Sequence, residues 1–191
     1  MSVLTIYPAD WSAAQAGDQP ASYSDAAVIT DRLRAIGVQF EVWQAAAELA
    51  ADATQEDILA AYRAQVDALK QQHGFVNADV VSLGPDHPER QALRQKFISE
   101  HTHSDFEVRF FVAGQGLFYL HCGDQVYGLL CNQGDLISVP AGTKHWFDMG
   151  ERPSFTCIRL FSDPEGWVAD YTGSPIARQF PLLEQFVSAA A

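Results

Sequence analysis

The apolar positions of the chain change period along its length. Val3-Leu-Thr-Ile-Tyr7 is a short β-branched and aromatic run ended by Pro8, and it reads as an opening strand. The small and polar residues from Ala9 to Ser24 read as a loop. From Asp25 to Ile36 the apolar residues step by three and four, the helical period, with Ser24 or Asp25 as N-cap and Gly37 as the stop. Val38-Gln-Phe-Glu-Val-Trp43 alternates at period two and predicts a strand with one buried face. Thr54 opens a second helix whose first turn is acidic, and Ile58, Leu59, Tyr62, Val66 and Leu69 form one apolar stripe as far as Gly74. Phe75 to Leu83 predicts a strand, Gly84 to Pro88 a loop, and Glu89 to Gln95 a short charged helix.

From Phe97 to Phe161 nearly all the text is β-like. Aromatic and branched runs are separated by Gly123-Asp124, Asn132-Gln-Gly134 and Gly150-Glu-Arg-Pro153. Within it, Gly114-Gln-Gly116 reads as a turn between Val108–Val112 and Leu117–Leu120. Short strands at this spacing fit a barrel or two-sheet sandwich, of which a jelly roll is one solution. The class is therefore mainly β with flanking α-helices. One domain is expected at this length, with an N-terminal α/β elaboration over about residues 1–95 and a barrel core over about 96–162. Trp167, Tyr171 and Phe180 lie in a tail that would cover one edge or mouth of the barrel.

Composition narrows the partners. The 191 residues are 48% hydrophobic and 19% charged, as in ordinary globular proteins. Twelve basic against 24 acidic residues give a formal charge of −12, a field that repels phosphate backbones and anionic membranes. No run approaches the ~20 apolar residues that span a bilayer. The N-terminus lacks the basic and apolar regions of a signal peptide, so the cytoplasm is the expected compartment. Cys122, Cys131 and Cys157, an odd number in apolar runs, read as buried free thiols.

The chemistry concentrates between His101 and His145. His101-Thr-His103 and Glu107 are two and four residues apart, so in an extended strand they share a face with Arg109. Asp105 shares that phase too, and a bulge or loop near Ser104 would turn it away. With His145 returning from a distant strand, three imidazoles and one carboxylate can surround a divalent transition ion and leave open positions on it. Without a cation, burying that set is costly. Arg109 could pair with an anionic substrate or with a neighbouring carboxylate, and Arg159 is a weaker case of the same kind. Phe97, Phe147 and Trp167 could line an apolar end of the pocket or be plain core. His73 and His87 read as surface residues, and His121 as structural or exposed.

These segments resemble the two cupin motifs: His101-x-His103-x-x-x-Glu107 followed by six residues and Gly114, then Gly134, five residues, Pro140-x-Gly142-x-x-His145. Gln95 stands where the first motif begins with Gly, and Met149 where the second ends with Asn; both are turn or packing positions. His101-Thr-His-Ser-Asp-Phe-Glu-Val-Arg-Phe-Phe-Val112 and Pro140-Ala-Gly-Thr-Lys-His-Trp-Phe147 are similar to segments of the acireductone dioxygenase family, cupins of methionine salvage. The resemblance implies a double-stranded β-helix and His101, His103, Glu107 and His145 as ligands of one Fe(II) or Ni(II) per chain. It implies an acireductone and O2 as substrates; on the reading of the residues themselves Arg109 is the catalytic candidate, Phe97, Phe147, Arg159 and Trp167 are substrate-binding candidates, and a monomer is expected. The iron form would yield 2-keto-4-methylthiobutyrate and formate; the nickel form would yield 3-methylthiopropionate, formate and carbon monoxide. Rival readings are another cupin dioxygenase, a cupin sugar isomerase, or a non-catalytic metal- or ligand-binding cupin sensor.

Overall fold

A computed structural model describes residues 1–12, 20–44, 49–50, 52–162 and 168–190. In chain order the described strands and α-helices are β1 (Val3–Pro8), β2 (Ala21–Tyr23), α1 (Ala26–Arg34), β3 (Gln39–Val42), α2 (Gln55–Ala61), α3 (Arg63–His73), β4 (Asn77–Leu83), α4 (Arg90–Phe97), β5 (His101–Thr102), β6 (Glu107–Cys122), β7 (Gln125–Asn132), β8 (Asp135–Val139), β9 (Lys144–Asp148), β10 (Phe155–Phe161), β11 (Asp170–Tyr171) and α5 (Leu183–Ala190), with a 3-10 turn at Ile176–Gln179 before α5.

Helices α1 and α2 begin where a side chain satisfies unpaired N–H groups, whereas α3 and α4 start without a side-chain cap. Asp25 accepts from the N–H groups of Ala27 and Val28 at the start of α1. Thr54 and Asp57 form a reciprocal capping box on α2. The single helix expected from Thr54 to Gly74 is instead two, broken at Tyr62 (φ −113°, ψ 17°). The break lets Ile58 and Ala61 before it, and Val66 and Leu69 after it, reach one packing surface, with Tyr62 tilted on Phe110 at 4.5 Å between ring centres. Gly74 caps α3 in the left-handed region, φ 75°.

Strand β6 is the axis of the molecule. Its first half pairs with β8 and β10; its second half pairs with β7 and β9. One sheet thus runs β11-β5-β9-β6-β7-β1-β2, and the other continues from β6 through β8 to β3 and through β10 to β4. The strands outside the expected barrel core are part of these sheets: β1 pairs with β7, β3 with β8, and β4 with β10. The expected loop from Ala9 to Ser24 contains β2, which has no apolar alternation and is held by its ladder to β1 and by a 2.9 Å Thr5–Ser22 side-chain bond.

Alternation along β6 sorts the core. Phe111, Phe118 and Leu120 face the interior with Phe40, Ile137, Val139, Phe147 and Cys157, joined by Ile29 and Leu33 of α1. Val108 and Phe110 face outward under α2 and α3. Tyr119 and Trp146 face outward on the other sheet, covered by Phe180, Leu183 and Phe186.

The turn expected at Gly114-Gln-Gly116 is absent, because β6 bends there and passes from one sheet to the other. The register against β10 slips between Thr156 and Cys157, and Gly114 takes φ +76°. A Cβ at Gly114 would lie 1.8 Å from the Ser154 carbonyl oxygen and 2.7 Å from Phe155 Cα. Gly114→Ala should therefore cost at least about 3 kcal/mol, strain and overpacking together. Gly123, also at positive φ but with nothing within 4 Å of a Cβ, should cost only about 1 kcal/mol as Gly123→Ala. Urea denaturation of both variants checks this; equal losses would mean that close approach is not what fixes Gly114.

Candidate metal centre

The folded chain brings His101, His103, Glu107 and His145 together, with one donor atom of each lying within 4.8 Å of the others. They meet not on one continuous strand face but across an irregular stretch at the place where a bulge or loop is expected, near Ser104. His101 lies on β5, which is only two residues long, and pairs directly with His145 on β9. His103 follows in an irregular stretch, 103–106, and Glu107 is the first residue of β6. The His103 carbonyl accepts the Gly142 N–H at 2.9 Å, which ties this stretch to the Pro140–Thr143 turn before β9. Asp105 is outside the group and accepts the N–H groups of Phe106 and Ser162.

Backbone carbonyls orient the imidazoles. His101 Nδ1 donates to Ser99 O and His145 Nδ1 to Thr143 O, each at 2.7 Å, which directs both Nε2 atoms inward. His103 Nδ1 lies 3.4 Å from Val168 O. Glu107 divides its oxygens: Oε1 accepts from Arg109 Nε at 3.0 Å, while Oε2 is 2.7 Å from His145 Nε2 and 3.4 Å from His103 Nε2.

The electrostatics suit a cation. Burial alone would raise the Glu107 pKa, but the Arg109 charge and the hydrogen bonds from His103 and His145 hold it well below the usual carboxylate range. Burial, aided by the charge of His145, lowers His101 to about 4 and leaves its imidazole neutral at pH 7. Burial opposes charge on His145 as well, but the Glu107 hydrogen bond and charge outweigh it and lift that imidazole above its ordinary value. Three nitrogens and one anionic oxygen, nearly all buried, are a donor set that fits a divalent transition ion at typical bond lengths of about 2.0–2.2 Å.

A model of the ARD/ARD' family matches residues 13–169. The chain belongs to the acireductone dioxygenase family. An acireductone dioxygenase of a Synechococcus strain is 60% identical over 96% of this chain and 99% of its own length. One from Methylococcus capsulatus is 55% identical over 98% of each. The solved acireductone dioxygenase from Bacillus anthracis, with a cadmium ion in its active centre, superposes with a TM-score of 0.76 at 27% identity, over 90% of this chain and 98% of that one. The expected cupin architecture and a metal-dependent dioxygenase activity accord with this membership.

Around the group, Phe147 lies on the same face of β9 as His145 and packs in the interior 4.7 Å from Phe118. Gly116 makes room for it, since a Cβ there would lie 2.4 Å from the Phe147 ring. Phe97, at the end of α4, meets Phe147 edge-on at 6.4 Å. Arg159 is in register with Arg109 across β10 and β6, and its Nε donates to Asp79 on β4 at 2.7 Å. Trp167 lies outside the described residues. His73 and His87, expected at the surface, are half-buried: His73 bonds Gln39 and stacks on Phe75, and His87 accepts the Glu89 N–H. Glu100 is 2% exposed and bonded to His121, although a lone Glu before a His-x-His carries no motif signal in the sequence.

His103→Ala and His145→Ala should each lose most bound metal, by inductively coupled plasma measurement of the purified proteins, while far-UV circular dichroism stays close to wild type. Full metal content in both variants would falsify the four-donor group.

Proposed function

We propose that the chain cleaves 1,2-dihydroxy-3-keto-5-methylthiopentene with O2 in methionine salvage, using one Fe(II) or Ni(II) held by His101, His103, Glu107 and His145. The observation that carries this reading is the convergence of those four donors within 4.8 Å in a chain 60% identical to an acireductone dioxygenase over nearly its full length. A bound divalent ion would supply Lewis acidity for the enediol and a place for dioxygen beside it.

The protein's own part is charge, orientation and exclusion of water. Arg109 keeps Glu107 ionised and sets a permanent positive charge next to the donor group, where an enediolate would gain most from it in a water-poor interior. Arg159 adds to the positive field on the same face, moderated by Asp79. Phe147 and Phe97, in edge-on contact, would offer an apolar wall to a methylthio arm, and Trp167 is kept as a substrate-binding candidate on its sequence alone. All four donors come from one chain, so a monomer suffices, and its net charge of −12 disfavours nucleic acid. Among the described residues no helix is long and apolar enough to cross a membrane. Cys122, Cys131 and Cys157 are free thiols, which suits a reducing cytoplasm. The whole chain acts as one cupin domain, because strands from its N-terminal half complete both sheets.

Two measurements test this reading. Oxygen uptake with the acireductone should require added Fe(II) or Ni(II). Iron-loaded protein should give 2-keto-4-methylthiobutyrate and formate; nickel-loaded protein should give 3-methylthiopropionate, formate and carbon monoxide. Identical products from both forms would remove the dual chemistry, and no uptake with either would remove the activity. Arg109→Lys should keep its metal yet lose turnover, and Arg109→Ala should lose about 2–4 kcal/mol of transition-state stabilisation in kcat/KM. Turnover falling only in proportion to metal content would restrict Arg109 to supporting Glu107.

A further inference from the structure

Outside the four-donor group, the described residues hold three further buried carboxylates, Glu100, Asp135 and Asp148, and Glu100 is the one adjacent in sequence to a donor. Glu100 directly precedes His101, and its side chain is 1% exposed. Both of its oxygens are engaged: Oε1 with His121 Nδ1 at 2.6 Å, Oε2 with the Thr172 hydroxyl at 2.6 Å. Its main-chain carbonyl also accepts the Thr172 N–H at 3.2 Å. One residue therefore joins β5, which it precedes, to the far end of β6 through His121 and to the segment after β11 through Thr172.

That segment touches both histidines of the 101–103 stretch. Tyr171 pairs with His101 across β11 and β5, with its ring 5.8 Å from the imidazole, and Val168 O lies 3.4 Å from His103 Nδ1. The Tyr171 hydroxyl donates to Lys96 O at the end of α4, 3.1 Å away. The ladders themselves are minimal. β5 and β11 are two residues each, and β5 meets β9 at the single pair His101–His145. Ladders this short do not hold their place by main-chain bonds alone. A carboxylate held from both sides closes the end of the ladder at the residue next to the first histidine, and charge-assisted bonds of this kind are about twice as strong as neutral ones.

We propose that Glu100 is a positioning residue. Through its Thr172 and His121 bonds it clamps residues 168–172 against β5 and so fixes how His101 and His103 are presented to an ion. The inference rests on the reading of the four donors as a metal site. Partners that orient metal-ligating imidazoles commonly change metal affinity 10- to 100-fold when removed; here the support is one step further out.

The test is the rate at which nickel-loaded protein gives up its metal to excess chelator, followed by a colorimetric indicator. Thr172 is exposed, so Thr172→Val removes one hydroxyl without threatening the core. Thr172→Val and Glu100→Gln should release nickel about tenfold faster than wild type, with far-UV circular dichroism unchanged, and Thr172→Ser should restore the wild-type rate. A wild-type rate in Thr172→Val overturns the proposal, as does a Thr172→Ser variant as fast as Thr172→Val; either result is decisive even if Glu100→Gln fails to fold. Wild-type protein that takes up no nickel overturns the metal site itself, and the clamp with it.

Discussion

A carboxylate buried at the first residue of the strand common to both sheets must keep its charge. Taking such an ion out of water costs several kcal/mol even after the surroundings relax. Glu107 meets that cost with the Arg109 guanidinium on one oxygen and the imidazoles of His145 and His103 on the other. Arg109 is available because β6 stays extended past Glu107 and returns the same face two residues later. His145 is available because β9 pairs with the second half of the same strand, opposite Leu120. The continuity of β6 and the ionisation of Glu107 are thus one requirement seen at two scales.

The edges of the site are held by polar contacts as well as by packing. Arg94 of α4 donates to both oxygens of Asp148, at 2.7 and 2.9 Å, and reaches Glu184 of α5 at 3.1 Å. Asp148 ends β9 and also accepts the N–H groups of Gly150 and Leu183. This nearly buried carboxylate locks α4, β9 and α5 to one another, with Phe97 at one end of the assembly and His145 three residues before Asp148. Rigid support of this kind lets a short loop such as 103–106 carry a functional side chain.

Much of this was legible in the sequence. Period-two runs mark β3 and the barrel strands, period-three-and-four runs mark α1 and the α2–α3 region, and the four donors stand out by residue type and spacing. What escaped depends on partners distant in the chain. Gly114-Gln-Gly116 looks like a turn until Ser154 is packed against it, and the contact rather than the local pattern makes it a bend. The break at Tyr62 follows from Phe110, and the pairing of Arg159 from Asp79. His101, His103 and Glu107 do meet, but across a two-residue strand and an irregular segment whose anchor is the Gly142 N–H. Glu100 is silent for the same reason, since its partners are 21 and 72 residues away.

The strand shared by both sheets also shapes how the molecule responds to an ion. Glu107 begins the strand that pairs with β7, β8, β9 and β10, so the four donors are brought together only in the folded chain. Whatever binds only the closed site then stabilises the whole protein by mass action, by about 4 kcal/mol for an ion at a thousand times its dissociation constant. That is a large share of the roughly 5–15 kcal/mol that holds a typical domain together. An ion held by the four donors would therefore slow unfolding, and a chain made where the ion is scarce would be more exposed to proteolysis.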